Sequence, residues 1–520
     1  MKIKRSADAA NVQHRLSLSG NHPTIAGFGE HHQTKLGGAP LLLRLEQHLQ
    51  LVFGAAAALR DTRLQWQIKH SMYHLLWQRV LLICCGYEDG VDSKLLAHDP
   101  GLRLSLIGVG TWDSITVASQ ATIARFENSM TGANCYRFAA WLVFAYILNK
   151  KEAPKEIRLD FDGSCFPAYG KQQGTSYRKY YETNMFFPLF VFDQDGVLIT
   201  AILRPGHHVE CNQTLPVLKR LVKSFRAAWP KVQITVVMDA AFNDQHIFDW
   251  CEDQAEPVRY LIKLRNHGGK GSGLTSSAKG MSKLARESFG RRFGQARYLP
   301  VQKGRKLSPP KTKTQVEKEI RQQADKKQRK AAWIEYHERL AVRFGEFSHR
   351  TGKGGQDKKA WRQDRRVLAQ CVYDDWGARN SFWVTNISDD DPATLINETY
   401  SRRGNAELRI KDAKELRCDK MSCESFMANQ FRLLMHVLAQ RLLIEFRQIL
   451  PPTLRAKSFN FIRENFLCIP AIIERKRRHT MLLWSASHPL KNQMHAVCDR
   501  LEAFQRANSY HRSRLRRKAA

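Results

Sequence analysis

Acidic residues are scarce in this 520-residue sequence: 49 Asp and Glu face 83 Lys and Arg, a net charge of +34. Such an excess calls for a polyanionic partner, with nucleic acid expected first and an anionic membrane surface second. Long hydrophobic runs are missing too. The longest, Phe138 to Leu148, falls short of the roughly 18 to 20 residues a bilayer span needs. No apolar stretch of the kind a secretory signal carries follows the opening MKIKRSADAANVQHRL, so a cytoplasmic protein is expected. The 11 cysteines are odd in number and contain no CxxC pair, which fits neither a disulfide framework nor a zinc finger. Reduced, mostly buried thiols are expected instead. No internal repeat is present.

What is there falls into contrasting textures. The first 40 residues are polar and Gly-rich and read as a flexible arm. From Leu41 to Tyr146 apolar residues recur at three- and four-residue spacing, the pattern of a helical domain. At residue 157 the texture turns to strands: IRLDFDGS, NMFFPLFVFD, GVLITAILRPG, QITVVMD and VRYLIKLRN, with helical stretches between the later ones. Three adjacent strands, helix, strand, helix, strand is the order of a ribonuclease-H-like α/β core. After Gly268 this pattern breaks; Val301 to Gln370 carries 20 Lys and Arg against 8 Asp and Glu, as a basic insertion would. A long helical pattern then runs from Asp391 to about Leu450, stopped by Pro451-Pro452. The chain closes on a basic HRSRLRRKAA. The expected organisation is an N-terminal helical DNA-binding domain at 1–150, the first part of an α/β core at 151–266, and a basic insertion at 267–399. A core helix at 400–450 and a basic C-terminal region at 451–520 complete it.

Strand alternation places Ile157, Leu159 and Phe161 on one face of IRLDFDGS and Arg158, Asp160 and Asp162 on the other. Carboxylates are depleted in strands, and metal binding is the commonest reason to keep them. Asp239 ends QITVVMD at a turn into a helix, where capping and metal binding are equally good readings. On the long helix Tyr400, Arg403, Glu407 and Lys414 fall within about a 60° arc at 100° per residue. That arc puts a carboxylate between two cations, which a salt-bridged surface helix would also show. Together Asp162, Asp239 and Glu407 could hold two divalent ions about 3.5 to 4 Å apart, Mg²⁺ suiting all-oxygen ligands, with Arg403 and Lys414 on phosphate oxygens.

The helix matches the Y-(2)-R-(3)-E-(6)-K signature and so resembles the IS4-type DDE transposases. With DTRLQWQIKHSMYHLLWQRVLLICCGYEDGVDSKLLAHDP, LDFDGS, PAYGKQQG, YYETNMFFPLFVF and LRPG, the sequence is similar to the IS1380 family in particular. The resemblance implies Asp162, Asp239 and Glu407 as catalytic and metal-holding carboxylates, with Asp160 a secondary candidate. Tyr400, Arg403 and Lys414 are implied as DNA phosphate-binding residues. It also implies a ribonuclease-H-like core with an insertion between the second and third carboxylates. The expected function is cut-and-paste transposition of an insertion sequence. Mg²⁺ is the expected cofactor, with Mn²⁺ as a substitute; terminal inverted repeats and target DNA are the partners, and a homodimer forms in the synaptic complex. Bacterial nucleoid association is implied as well. The sequence departs from the family's pattern at Ala240-Ala241, where a Ser-Gly pair is usual, and at Val237, where Arg is usual. A domesticated, non-catalytic DNA-binding derivative and a nuclease without strand transfer are the competing readings.

Three other features carry less. His207, His208, Glu210 and Cys211 resemble zinc ligands on a Pro-Gly loop, but more often face solvent. GGKGSG lacks the Ser or Thr of a phosphate loop. Trp376 and Trp383 could stack on a flipped base, although buried core tryptophans are commoner.

Overall fold

The computed structural model describes residues 32–106, 112–150, 152–208, 211–264, 313–338, 340–350, 361–374, 377–477 and 479–503. A few residues between 283 and 291 and the short strands His14–Leu16 and Thr24–Ala26 are described as well. GGKGSG, Glu210, Trp376 and the C-terminal HRSRLRRKAA lie outside the described residues. The chain divides into two compact units. One is Met1–Phe138 with Glu415–Cys418 and Leu438–Ala520; the other is Ala139–Lys414 with Asp419–Val437.

The first unit is helical from Ala39 onward, through Ala39–Leu49, Leu51–Ala58, Met72–Cys84, Pro100–Ser105 and Gln120–Asn128. Its opening turn shows how side chains set the path. Gln50 takes a left-handed backbone (φ 52°) between two helices, and Glu46 accepts the orphan N–H groups of Val52 and Phe53 at 2.9–3.1 Å. The unit is not wholly helical, since a short strand lies in the first 40 residues, which were expected to be a flexible arm. Gln33–Thr34 pairs with Ala471–Arg475, which pairs with Thr480–Trp484. A two-residue strand has no alternation to read, and its partner lies more than 400 residues away in sequence.

Within this unit His74 is mostly buried, its Nε2 lacking a hydrogen-bond partner and its ring 4.7 Å from His70. Burial, reinforced by His70, pushes its imidazole down to about 4. The folded state therefore keeps His74 neutral while the unfolded chain takes up a proton below about pH 6.5. This stability is complete above pH 6.5 and lost as pH falls to 4, by about 3 kcal/mol. Denaturant melts should show that slope in the parent and not in His74→Leu; equal slopes would sink the assignment.

The second unit is built on an eight-stranded mixed sheet. Its strands are β1 (Glu156–Gly163), β2 (Leu189–Asp193), β3 (Leu198–Ile202), β4 (Gln233–Met238), β5 (Arg259–Lys263), β6 (Ala341–His349), β7 (Arg365–Asp374) and β8 (Gly377–Thr385). The spatial order is β6-β7-β8-β5-β4-β1-β2-β3. β1, β4 and β5 are parallel and every other pairing is antiparallel. The anticipated chain order is present, with helix α1 (Thr214–Ala228) between β3 and β4 and helix α2 (Gln245–Glu252) between β4 and β5. Pro188 splits NMFFPLFVFD, so only Leu189–Asp193 enters the large sheet while Thr183–Phe186 pairs with Ser176–Arg178.

Alternation divides the sheet's two faces. Ile157, Leu159 and Phe161 join Ile234, Val236, Met238, Tyr260 and Ile262 beneath Leu218, Leu221 and Phe225 of α1 and Phe248 of α2. On the opposite face Val237, Leu261, Leu368 and Trp383 pack with Leu395 and Ile396. Parallel strands buried on both faces need near-continuous apolar runs, which ITVVM and YLI supply.

Two sequence expectations are corrected here. Residues 341–349, 365–374 and 377–385, expected within the basic insertion, form β6, β7 and β8 and extend the sheet from β5. Their charge hid them, but Arg365 is spent internally, 3% exposed and paired with Asp249 and Glu252. The long helix is also not continuous. Ten residues separate helix α3 (Gly404–Glu415) from helix α4 (Phe426–Ile449), with Arg417 among them at φ 58°. No Pro or Gly marks this break. Buried Asn429 holds part of it, its amide bonded to both N and O of Cys423 at 3.0 and 2.7 Å.

Candidate active site

The pairing register brings two of the three expected carboxylates together. Phe161 and Met238 are the last partners of β1 and β4, so Asp162 and Asp239 are the next residues on adjacent parallel strands. They stand at the carboxyl ends of those strands, where open α/β sheets place their ligands. Arg403 reaches both with a single nitrogen: Nη2 lies 2.9 Å from Asp162 Oδ1 and 3.6 Å from Asp239 Oδ2. Asp162 and Arg403 are each 8% exposed, whereas Asp239 opens toward solvent.

Each member is positioned by its own element. Asp162 Oδ1 also accepts the N–H of Gly163 at 2.9 Å. Asp239 caps the turn Ala240–Phe242, its Oδ1 accepting the N–H of Ala241 at 2.7 Å while Oδ2 faces Arg403. One oxygen of Asp239 thus caps the turn while the other meets the Arg403 guanidinium. The Ala240-Ala241 pair makes this turn without a Ser-Gly, and Val237 fills the apolar cluster under Leu395 and Ile396.

Asp160 is held differently. It is 2% exposed and bound twice by Arg158, Nε to Oδ1 at 3.0 Å and Nη2 to Oδ2 at 2.9 Å. Burial raises its pKa, more than Arg158 and Arg403 lower it. Both oxygens of this buried carboxylate are engaged by one guanidinium, which makes Asp160 a partner of Arg158. The pairing was legible as an Arg and an Asp two residues apart on one strand face.

Arg403 precedes α3, at the end of a π-helical segment, Leu395–Tyr400, and a short 3₁₀ turn, Ser401–Arg403. The 3₁₀ turn changes the helical phase after Tyr400, so the uniform arc expected from Tyr400 to Lys414 is not what forms. π-helical turns often mark functional sites, because the extra residue re-aims the side chains that follow. Glu407 lies on α3, four residues after Arg403, and its side chain is outside the described residues. Among the described residues no group of three or more His, Cys, Asp or Glu is placed to hold a metal ion.

The family comparison adds one decisive observation: the model for transposase DDE domain group 1 matches residues 23–298 and 310–506. The chain belongs to this family. No curated protein matches the sequence. Among solved structures, the cryo-EM piggyBac transposase synaptic complex with hairpin DNA is similar at a TM-score of 0.34 and 8% identity. That likeness covers 79% of this chain and 74% of that one.

Tyr400, Arg403 and Lys414, the other signature residues of this DDE transposase, each have protein partners in the structure. Arg403 is committed to Asp162 and Asp239; burial disfavours its charge, but those two carboxylates outweigh burial and raise its pKa. Tyr400 stands edge-on to the buried Trp383 ring at 5.4 Å, and burial pushes its hydroxyl up to about 12. Trp383 is therefore core rather than a stacking platform. Lys414 Nζ donates to the Cys165 carbonyl at 3.3 Å and sits 5.8 Å from the Phe166 ring. His207 and His208 pack edge to face on the Pro205-Gly206 loop, where Arg178 donates to the His208 carbonyl.

Proposed function

We propose that this transposase cuts and joins DNA at Asp162, Asp239 and Glu407, moving an insertion sequence of the IS1380 kind by cut-and-paste. The observation that carries the reading is the placement of Asp162 and Asp239 side by side around one cationic nitrogen. A ribonuclease-H-like core accounts for the order β3-β2-β1-β4-β5, and the carboxyl ends of β1 and β4 are then its catalytic edge.

The donor set fits a hard divalent ion. Two carboxylates already gather positive charge between them, and every candidate ligand atom is oxygen. Asp162, Asp239 and Glu407 would hold Mg²⁺, or Mn²⁺ in its place. Bound there, the metal supplies Lewis-acid activation of the attacking hydroxyl and charge stabilisation at the leaving oxygen. Arg403 sets the spacing of Asp162 and Asp239 and balances their charge. Lys414, tied to the strand end through Cys165, adds positive potential where a scissile phosphate would lie. Substrate DNA is held by the net +34 of the whole chain, as terminal inverted repeats and then target, with two copies of the chain in the synaptic complex. The working compartment is the cytoplasm, on nucleoid DNA.

Cleavage of a labelled duplex bearing the inverted repeat, with Mg²⁺ and without, tests this reading; equal cutting in EDTA would sink it. Affinity for that duplex should fall steeply with salt, by roughly 10³-fold or more between 50 and 200 mM if six or more phosphates are neutralised. A flat response in a filter-binding titration would remove charge as the source of affinity. Asp160→Asn should separate stability from chemistry. Leaving Arg158 buried without its carboxylate should cost about 3–5 kcal/mol of unfolding free energy in denaturant melts. The folded fraction should still cleave far better than Asp162→Asn, and equal losses would return Asp160 to the reacting centre.

A further inference from the structure

Four exposed tyrosines come from one short segment after the first catalytic strand. Tyr169, Tyr177, Tyr180 and Tyr181 are 82%, 62%, 88% and 39% exposed. Lys171, Arg178 and Lys179 are interleaved with them, against the single acid Glu182. The segment is pinned from behind. Gly206 N donates to Gly174 O at 3.0 Å, Gln172 Nε2 to Met421 O at 2.7 Å and Gln173 N to Glu424 O at 3.0 Å. Its backbone is held while its rings stay in solvent.

The rings form a series that starts beside Asp162. A Cβ added to Gly163 would come within 2.8 Å of the Phe187 ring, so that ring lies against the end of β1. Tyr181 follows at 6.3 Å from Phe187, and Tyr180 stands edge-on to Tyr181 at 4.9 Å. The guanidinium groups of Arg178 and Arg204 sit 5.5 and 5.1 Å from the Phe187 ring. Exposure rises along the series, from 3% at Phe187 to 88% at Tyr180.

Aromatic faces alternating with cations suit an unpaired strand, whose bases stack on rings while its phosphates meet Lys and Arg. Duplex DNA cannot use such faces, because its bases are already stacked on one another. A protein partner would be favoured by an apolar patch without this excess of positive charge. We propose that Tyr180 and Tyr181, with Lys179 between Arg178 and Tyr180, form a track for unpaired nucleotides of the DNA strand leaving the Asp162 end of the sheet. The track rests on the reading of Asp162 as a DNA-cleaving carboxylate.

The test uses the full chain in metal-free buffer at moderate salt. Its probes are a fluorescent oligothymidine of about 12 nucleotides and a blunt duplex of mixed sequence. Tyr180→Ala should weaken oligothymidine binding roughly 5- to 100-fold, the effect of removing one stacking ring. Blunt-duplex binding should stay within about twofold, and Tyr180→Trp should retain single-strand affinity. A 2-aminopurine placed in the strand should be quenched by the parent and less so by Tyr180→Ala. Unchanged single-strand affinity in a Tyr180→Ala/Tyr181→Ala double variant overturns the track. So does a change of oligomeric state in light scattering with DNA binding intact, which would make this surface a protein interface. A parent chain that binds the duplex but not oligothymidine overturns the track and leaves the cleavage reading standing; one that binds neither overturns both.

Discussion

Asp162→Asn, Asp239→Asn and Glu407→Gln are each expected to lower strand cleavage by on the order of 10³-fold or more, with repeat binding near that of the parent. The amides keep the size of the carboxylates and remove the negative charge that would hold a divalent ion. Binding survives because most positive charge lies elsewhere in the chain. Groups that act on one site as a unit are not additive, so the triple variant should be scarcely worse than any single one. The assay is cleavage of a labelled inverted-repeat duplex in Mg²⁺ beside a gel shift in Ca²⁺. The informative variant is Glu407→Gln, because Asp162 and Asp239 meet at Arg403 while the Glu407 assignment rests on its place in the signature. Parental cutting by Glu407→Gln would mean that the third carboxylate is another residue.

Arg403→Ala should have the second largest effect, and the structure changes what it means. From the sequence Arg403 was expected to hold a DNA phosphate; in the fold its Nη2 is committed to Asp162 and Asp239. Removing it leaves Asp162 nearly buried without its cation, at a cost of about 3–5 kcal/mol in metal-free buffer. Millimolar Mg²⁺ should return much of that loss, because an ion bound between the carboxylates replaces the missing charge and stabilises only the folded state. Melting temperature with and without Mg²⁺ reads this directly. The gain on adding Mg²⁺ should be larger for Arg403→Ala than for the parent. An equal gain in both would place the metal away from the Asp162–Asp239 pair, and Arg403 would then be a purely structural bridge.

Much of this was legible in the sequence because it depends on neighbours along the chain. Alternation in IRLDFDGS assigned Ile157, Leu159 and Phe161 to one face and Arg158, Asp160 and Asp162 to the other, and the packing follows that division. The β-branched run ahead of Asp239 marked a buried strand. The family, too, is carried by residues that the sequence displays directly.

Tertiary structure alone decided the rest, and the reason is distance along the chain. The β1–β4 register joins residues about 80 positions apart and makes Asp162 and Asp239 neighbours; no local pattern specifies a register. Arg403 ends a 3₁₀ turn, Ser401–Arg403, that follows a π-helical segment, and a uniform 100° step from Tyr400 cannot anticipate its direction. Strands β6 to β8 were concealed by charge such as that of Arg365, whose acidic partners lie on α2, more than 100 residues earlier. The distinction between Asp160 and Asp162, two carboxylates on one strand face, came from which guanidinium each one meets. Periodicity fixes which way a side chain points, and only the assembled sheet fixes what it points at.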